Sequence, residues 1–251
     1  MAEEHATPSL RRLLRARELV TLALLAVAAG GLWIFLEVAE ATTEEDFRAL
    51  DRQVLLAMRE SSDPADPRGP RWVEEMGRDF TALGGVAVLT LVSIAVALFL
   101  WMAGRPRSVA LLVIAVAGGE ILSLLLKRGY ARPRPELVPH GSLVYTASFP
   151  SGHAMMSAVV YLTLGALLAR VLPRRRMKFL VLACALGATA LTGVSRVYLG
   201  VHWPTDVLAG WSIGASWAVA CWLVADALDR HRPRGTPPEG SGPGTTDERQ
   251  A

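Results

Sequence analysis

The chain has 251 residues, of which 52% are hydrophobic and 20% are charged. This composition excludes a disordered chain and argues against an ordinary water-soluble domain. The formal net charge is only +3, and the basic residues stand in short clusters beside apolar runs, a pattern typical of membrane topology and not of a nucleic-acid-binding face. The cysteines Cys184 and Cys221 lie inside apolar runs, so neither a disulfide framework nor a cysteine-rich metal site is expected.

Several nearly uncharged stretches approach the roughly 20 residues that a helix needs to cross a bilayer. They are residues 19–36, 81–104, 109–126, 154–169, 179–194 and 207–225. We therefore predict an all-α fold, a six-transmembrane-helix bundle over residues 19–229, between a cytoplasmic N-terminus (1–18) and a disordered cytoplasmic tail (230–251). Because Ala39-Glu40-Ala41 resembles a cleavage site, the first run is either a retained helix, which its length favours, or a cleaved signal peptide.

Lysine and arginine clusters indicate which side of the membrane each connection occupies. The clusters are Arg11, Arg12, Arg15 and Arg17; Arg105 and Arg107; Arg174, Arg175, Arg176 and Lys178; and Arg230, Arg232 and Arg234. With six spans all of them fall on one side, which the positive-inside rule makes cytoplasmic. We therefore expect a protein of the bacterial cytoplasmic (inner) membrane, with residues 40–79, 128–150 and 195–206 facing the extracytoplasmic space.

The first extracytoplasmic loop contains a second kind of helical pattern. Phe47, Leu50, Val54 and Met58 recur at helical spacing among charged residues. This pattern predicts an amphipathic helix that lies on the membrane surface. Such a helix would either cover a site for lipid entry or simply pack on the bundle.

Polar residues that membrane topology does not explain follow the third and fifth helices and begin the fourth. They are Lys127, Arg132, Arg134, Ser151, Gly152, His153, Ser195, Arg196, His202 and Asp206. Several of them place positive charge on the outer face, against the positive-inside trend. Arginine forks match phosphate oxygens, and a helix that begins at Ser-Gly-His offers free N–H groups to an oxyanion. The pattern therefore predicts an anion site.

Two histidines supply chemistry beside these cations. Imidazole changes protonation near neutral pH, so His153 and His202 are candidates for a nucleophile and a general acid. Asp206 follows His202 by four residues, with Pro204 at a position suited to the first turn of a helix. Its carboxylate is then placed to bond the imidazole N–H and to select the tautomer.

The order and spacing of these residues resemble a known three-part signature. It reads Lys127-x6-Arg134-Pro135, then Pro150-Ser151-Gly152-His153, then Ser195-Arg196-x5-His202-x3-Asp206. This is similar to the signature of the type 2 phosphatidic acid phosphatase superfamily, which includes lipid phosphate phosphatases and vanadium haloperoxidases. The resemblance covers every fixed position of the three motifs.

The resemblance implies a helical bundle with one extracytoplasmic phosphate site, a phosphohistidine intermediate and no metal or other cofactor. By this resemblance His202 is the nucleophile, Asp206 orients it and His153 is the proton donor. Phosphate is bound by Lys127, Arg134, Ser151, Gly152 and Arg196. The expected partners are a lipid phosphate or diphosphate substrate and membrane lipids, without nucleic acid, and no protein partner is inferred.

Two other functions use the same residues. A vanadate-dependent haloperoxidase is disfavoured because those relatives are soluble, and a lipid-phosphate binding or transport protein because it would need no nucleophile. The lipid is left open among isoprenyl diphosphate, phosphatidylglycerol phosphate, phosphatidic acid and lipid A phosphate. Glu120, a carboxylate inside the third run, is interpreted as a packing or substrate-channel group.

Overall fold

The computed structural model describes residues 8–136 and 146–230, with side chains from Arg17 onward. The helices of this part of the chain are α1 (Pro8–Ala41), α2 (Glu45–Ala57), α3 (Arg71–Ala82), α4 (Val86–Met102), α5 (Pro106–Tyr130), α6 (Gly152–Val171), α7 (Arg175–Tyr198) and α8 (Pro204–Arg230). The described residues form no strand beyond an isolated bridge between Arg59 and Pro67. The predicted all-helical class is confirmed, whereas the predicted disordered tail lies outside the described residues.

Five helices are long and apolar enough to cross a membrane, and a bent pair raises the number to six if it forms one span. The five are α1 from Arg17, α5, α6, α7 and α8, and the bent pair is α3 with α4. These segments coincide with the predicted apolar runs except at the second run, which begins inside α3. The chain is therefore an integral membrane protein.

A bend of 49° separates α3 from α4 at Leu83–Gly84–Gly85. A Cβ atom on Gly84 would lie 2.3 Å from Thr192 Cγ2 and 3.1 Å from the His153 carbonyl oxygen. The connection between the helices therefore passes so close to α6 and α7 that a side chain at Gly84 does not fit. Residues 81–104 consequently do not form the single straight helix that their composition predicts.

Helix α6 is the centre of the bundle, packed against α4, α5, α7 and α8. Its residues from Ala154 to Val160 are all buried. Helix α1 packs along α8, where a Cβ atom on Gly31 would meet Ser216 Oγ at 2.3 Å. Small residues at such contacts allow helices to approach closely in a membrane protein. The start of α6, which carries the Ser-Gly-His motif, is thus held on several sides.

Helix α2 lies where the sequence predicts the amphipathic helix. Its buried residues are Asp51 and Leu55, whereas Phe47 and Leu50 are exposed. The buried positions therefore include a carboxylate, while Val54 and Met58 of the predicted apolar set are half-buried.

Candidate active site

The candidate residues come together at one end of the bundle. Lys127 lies near the end of α5, Ser151 caps the start of α6, Arg196 lies near the end of α7, and His202 stands in the turn before α8. The Ser151 backbone N–H donates to the Asp206 carbonyl oxygen at 2.9 Å, which ties the start of α6 to the first turn of α8. Segments that are far apart in sequence therefore share one site.

His202 is held between an acidic and a basic partner. Its Nδ1 lies 3.5 Å from Asp206 Oδ2 and 3.3 Å from Ser148 Oγ. Its Nε2 lies 3.1 Å from the Arg134 guanidinium. A guanidinium has only donors, so Nε2 presents a lone pair and Nδ1 carries the proton. Burial lowers the pKa of His202 to about 3, against the opposing effect of Asp206, so the ring is neutral at physiological pH.

Asp206 is fully buried and accepts several hydrogen bonds. Oδ2 accepts from the Trp203 backbone N–H at 2.9 Å and from the Ser148 hydroxyl. Oδ1 accepts from Arg132 at 2.7 Å. The 3.5 Å separation from His202 Nδ1 is longer than an ordinary hydrogen bond, and Ser148 contacts both side chains. The expected His–Asp pair is thus present with a hydroxyl beside it.

A second carboxylate reaches the site from α2. Asp51 accepts from Arg132 at 2.8 Å, from the Thr205 backbone N–H at 2.9 Å and from the Thr205 hydroxyl at 2.6 Å. Arg132 also donates to Thr205 Oγ1 at 2.8 Å. Arg132 therefore bridges Asp51 and Asp206, and α2 is linked to the turn that carries His202.

Sequence reasoning missed the roles of Ser148, Asp51 and Thr205 and assigned no partner to Arg132. One signal for Asp51 was available, since it lies four residues before Leu55, and such residues share a helix face. No such pattern marks Ser148, because its importance depends on contacts with residues 54 and 58 positions away.

The predicted cations gather near His202, whose ring is buried. Arg134 donates to the Val201 carbonyl oxygen at 2.7 Å, and Lys127 donates to the Ala147 carbonyl oxygen at 2.8 Å. Arg196 donates to Thr81 Oγ1 at 3.1 Å, and its Nε is buried without a hydrogen bond to any described residue. Among the described residues, none of these cations forms a salt bridge. Arg196 is buried and the other two are half-buried, and an unpaired cation is costly in such a place unless an anion binds.

The start of α6 adds backbone donors. Ser151 Oγ accepts from the Ala154 N–H at 3.5 Å, so the residue caps the helix as predicted. The first N–H groups of a helix have no acceptor within it, and they favour an anion. A Cβ atom on Gly152 would lie 3.3 Å from Lys127 Cε, so glycine keeps the backbone close to the lysine side chain.

His153 lines a cavity of about 590 Å³ together with Lys127 and Gly152. The described residues provide no hydrogen bond to its ring. They also contain no group of three or more His, Cys, Asp or Glu side chains able to hold a metal ion. The surplus of cations over carboxylates makes the site suited to an anion such as phosphate.

Comparison with known proteins agrees with this chemistry. Residues 108–230 match the PAP2 superfamily. The chain is 38% identical to phosphatidylglycerophosphatase B of Bacillus subtilis (strain 168) over 149 residues, which cover 57% of this chain and 70% of that protein. It is 30% identical to lipid A 1-phosphatase of Rhizobium etli over 179 residues, covering 62% of this chain and 72% of that protein.

A solved structure shows the same architecture. The crystal structure of a transmembrane PAP2 type phosphatidylglycerolphosphate phosphatase from Bacillus subtilis superposes with a TM-score of 0.71 and 26% sequence identity. The match covers 84% of this chain and all of that one. The motif residues also gather into one cationic site. The chain therefore belongs to the PAP2 superfamily and is a phosphoric ester hydrolase, one of the membrane lipid phosphatases of that superfamily.

Proposed function

We propose that the protein removes the terminal phosphate of a membrane lipid phosphate or diphosphate through a phosphohistidine formed on His202. The observation that carries this proposal is the Nε2 lone pair of a neutral histidine at 3.1 Å from the Arg134 guanidinium. A neutral imidazole is a nucleophile, and a neighbouring guanidinium attracts the phosphoryl oxygens. The PAP2 relatives named as phosphatases support the same reaction class.

The reaction balances in two displacements. In the first, His202 Nε2 attacks phosphorus, the bond from phosphorus to the lipid oxygen breaks, and protonated His153 gives its proton to the leaving oxygen. In the second, water attacks the phosphohistidine and gives a proton to His153, the N–P bond breaks, and inorganic phosphate leaves. The charge on the equatorial oxygens is stabilised by Lys127, Arg134, Arg196 and the start of α6.

Asp206 and Ser148 support the attacking ring. The proton on His202 Nδ1 faces Asp206 Oδ2 at 3.5 Å and Ser148 Oγ at 3.3 Å. Positive charge develops on the ring as the N–P bond forms, and the buried carboxylate stabilises it. These contacts favour the tautomer in which Nε2 is unprotonated and carries the lone pair that attacks phosphorus.

We further propose that the site faces the extracytoplasmic side of the cytoplasmic membrane. The Arg105–Arg107 and Arg174–Lys178 clusters flank the starts of α5 and α7, and the candidate site lies where both of these helices end. The positive-inside rule then places the phosphate site outside. The exposed Phe47 and Leu50 of α2 are suited to contact the outer membrane surface.

The test is phosphate release from a panel of lipid phosphates by purified protein in detergent. Incubation with substrate labelled on the terminal phosphate, followed by rapid denaturation at alkaline pH, should leave label on the wild type and none on His202→Asn. The exposed α1 variant Glu37→Gln should behave as the wild type does. Undiminished turnover by folded His202→Asn would refute the nucleophile, and absence of phosphate release from every lipid would favour a binding protein.

A further inference from the structure

The cavity that begins at the phosphate site continues between α4 and α5, with Met156 of α6 among its lining residues. Its wall is largely apolar, and the apolar residues include Val86, Leu89, Ile94, Leu112, Val113 and Val116. Lys127, Gly152 and His153 line its end. This continuity with the phosphate site identifies the occupant as the lipid part of the substrate.

Polar side chains interrupt this apolar wall. Thr90 and Ser93 of α4 line the cavity opposite Glu120 and Ser123 of α5. The Ser93 hydroxyl is buried and has no hydrogen-bond partner among the described residues. Glu120 is exposed and makes no hydrogen bond or ion pair with a described side chain. Polar and ionisable groups are costly in a bilayer, so their presence in a cavity indicates contact with polar atoms of a ligand.

The positions of these groups along α5 give their distance from Lys127. Ser123 and Glu120 precede Lys127 by four and seven residues, so they share its helix face. At about 1.5 Å of rise per residue, they lie about 6 Å and about 10 Å beyond the lysine along the helix. The cavity therefore has hydrogen-bonding groups one to two helical turns from Lys127, and apolar residues beside them.

Classes of lipid phosphate differ in the chemical groups that lie at this distance from phosphorus. In an acyl lipid such as phosphatidic acid, five covalent bonds separate phosphorus from an ester carbonyl carbon, a span of about 6 Å at ordinary bond lengths. In an amide-linked acyl lipid the amide lies at a similar depth. An isoprenyl phosphate presents only hydrocarbon there, so bound isoprenyl chains would leave the polar groups desolvated and unpaired.

Resting on the proposed function, we infer that this cavity is a subsite for the acyl linkage, which makes acyl lipid phosphates better substrates than isoprenyl phosphates. The hydroxyls of Ser93, Thr90 and Ser123 donate to ester or amide carbonyl oxygens. Glu120 accepts from a hydroxyl or amide N–H of the lipid. A site built to hydrogen-bond a substrate group discriminates against an analogue that lacks it.

The test compares lipids that share a monophosphate and differ in how it is joined to the hydrocarbon. They are dioleoyl phosphatidic acid, its dialkyl ether analogue and a long-chain isoprenyl monophosphate, each assayed for kcat/KM in the same detergent. Wild-type protein should favour the ester lipid over the isoprenyl lipid by about tenfold or more, because a lost neutral hydrogen bond is worth about fivefold. The ether analogue should lie between them.

Removal of the polar groups should erase this preference. The double variant Ser93→Ala/Glu120→Leu removes two hydrogen bonds to the ester lipid, so its kcat/KM for that lipid should fall about tenfold or more. Its kcat/KM for the isoprenyl lipid should stay within about twofold of the wild-type value. Retained turnover of the isoprenyl lipid also shows that the variant is folded. The single variants Ser93→Ala and Glu120→Gln should give intermediate losses, whereas Glu37→Leu, outside the cavity, should change neither lipid.

Two outcomes overturn the inference alone. One is a wild-type preference for the isoprenyl lipid, and the other is a double variant that loses the same factor on all three lipids or on none. Absence of phosphate release by the wild type from every lipid would instead refute the proposed function, and the inference with it. The two failures are therefore distinguishable.

Discussion

Asp51 provides a sharp test of whether α2 supports the turn that carries His202. Its carboxylate is buried and accepts from Arg132 and from both the backbone and the hydroxyl of Thr205. It does not line the cavity that begins at Lys127. We therefore expect Asp51→Ala to lower kcat and to leave KM nearly unchanged.

The magnitude follows from the contacts that are lost. Removing one partner of a buried ion pair costs about 3–5 kcal/mol, and most of that cost should fall on stability. Without Asp51, Arg132 would keep only Asp206 as a carboxylate partner and would itself be less firmly held. The Asp206 side chain would therefore lose part of its fixed position. A loss of about 1.4–2.8 kcal/mol in transition-state stabilisation corresponds to a kcat lower by about 10-fold to 100-fold.

Asp51→Asn refines the test because it keeps the shape of the side chain and removes its charge. Its amide oxygen can still accept from Thr205, so a kcat loss of about threefold to tenfold is expected, at about 1 kcal/mol for the weakened contact. Asp46→Ala is the matched control, since Asp46 lies in the same helix with an exposed side chain. Its kcat should equal that of the wild type.

The assay measures kcat and KM for phosphate release. Size-exclusion chromatography and thermal unfolding show what fraction of each variant is folded. A further readout is the pH dependence of kcat, which a purely structural role would not change. Folded Asp51→Ala protein with kcat within twofold of the wild type and an unchanged pH profile would refute the link from α2 to Asp206.

Other predictions test the charge, the histidine and the topology. Turnover should be unaffected by EDTA and inhibited by vanadate, because Lys127, Arg134 and Arg196 supply the positive charge and vanadate mimics the transition state; activity lost in EDTA and restored by Mg²⁺ would contradict this. The pKa of His202 is lowered from 6.5 to about 3 in the fold, so between these values the unfolded chain binds more protons and stability falls as pH falls, by up to about 1.4 kcal/mol per pH unit. Chemical unfolding of wild type and His202→Asn between pH 7 and pH 4 should show this extra slope only in the wild type, and equal slopes would exclude it. Single cysteines are introduced at Asp63 or Arg175, with Cys184 and Cys221 replaced by alanine. On intact cells an impermeant thiol reagent should label the cysteine at position 63 and should not label the one at position 175. The reverse pattern would place the site in the cytoplasm.

The membrane spans and the motif residues could be predicted from sequence because both depend on local properties. An apolar run of spanning length must form a helix in a bilayer, since the hydrocarbon offers its backbone no other hydrogen-bond partners. A signature such as Ser195-Arg196-x5-His202-x3-Asp206 is likewise readable without coordinates. The all-helical class, the membrane location and the family followed from these features and are confirmed.

Some features of the fold depend on which helices become neighbours. The bend at Gly84 lies where Thr192 and His153 leave no room for a side chain, and within residues 81–104 only the Gly84-Gly85 pair marks it. The inward face of α2 is also decided by packing, because Asp51 is stabilised there by Arg132 and Thr205. Composition alone would place that carboxylate in water.

The sequence by itself determined the helical membrane fold and the identity and spacing of the motif residues. Only the tertiary structure decided that Ser148 contacts both His202 and Asp206, and that Arg132 joins Asp206 to Asp51. The physical reason is that hydrogen bonds act over about 3 Å in space and are indifferent to separation along the chain. Asp51 and Thr205 are 154 residues apart, so their contact exists only once the helices have packed.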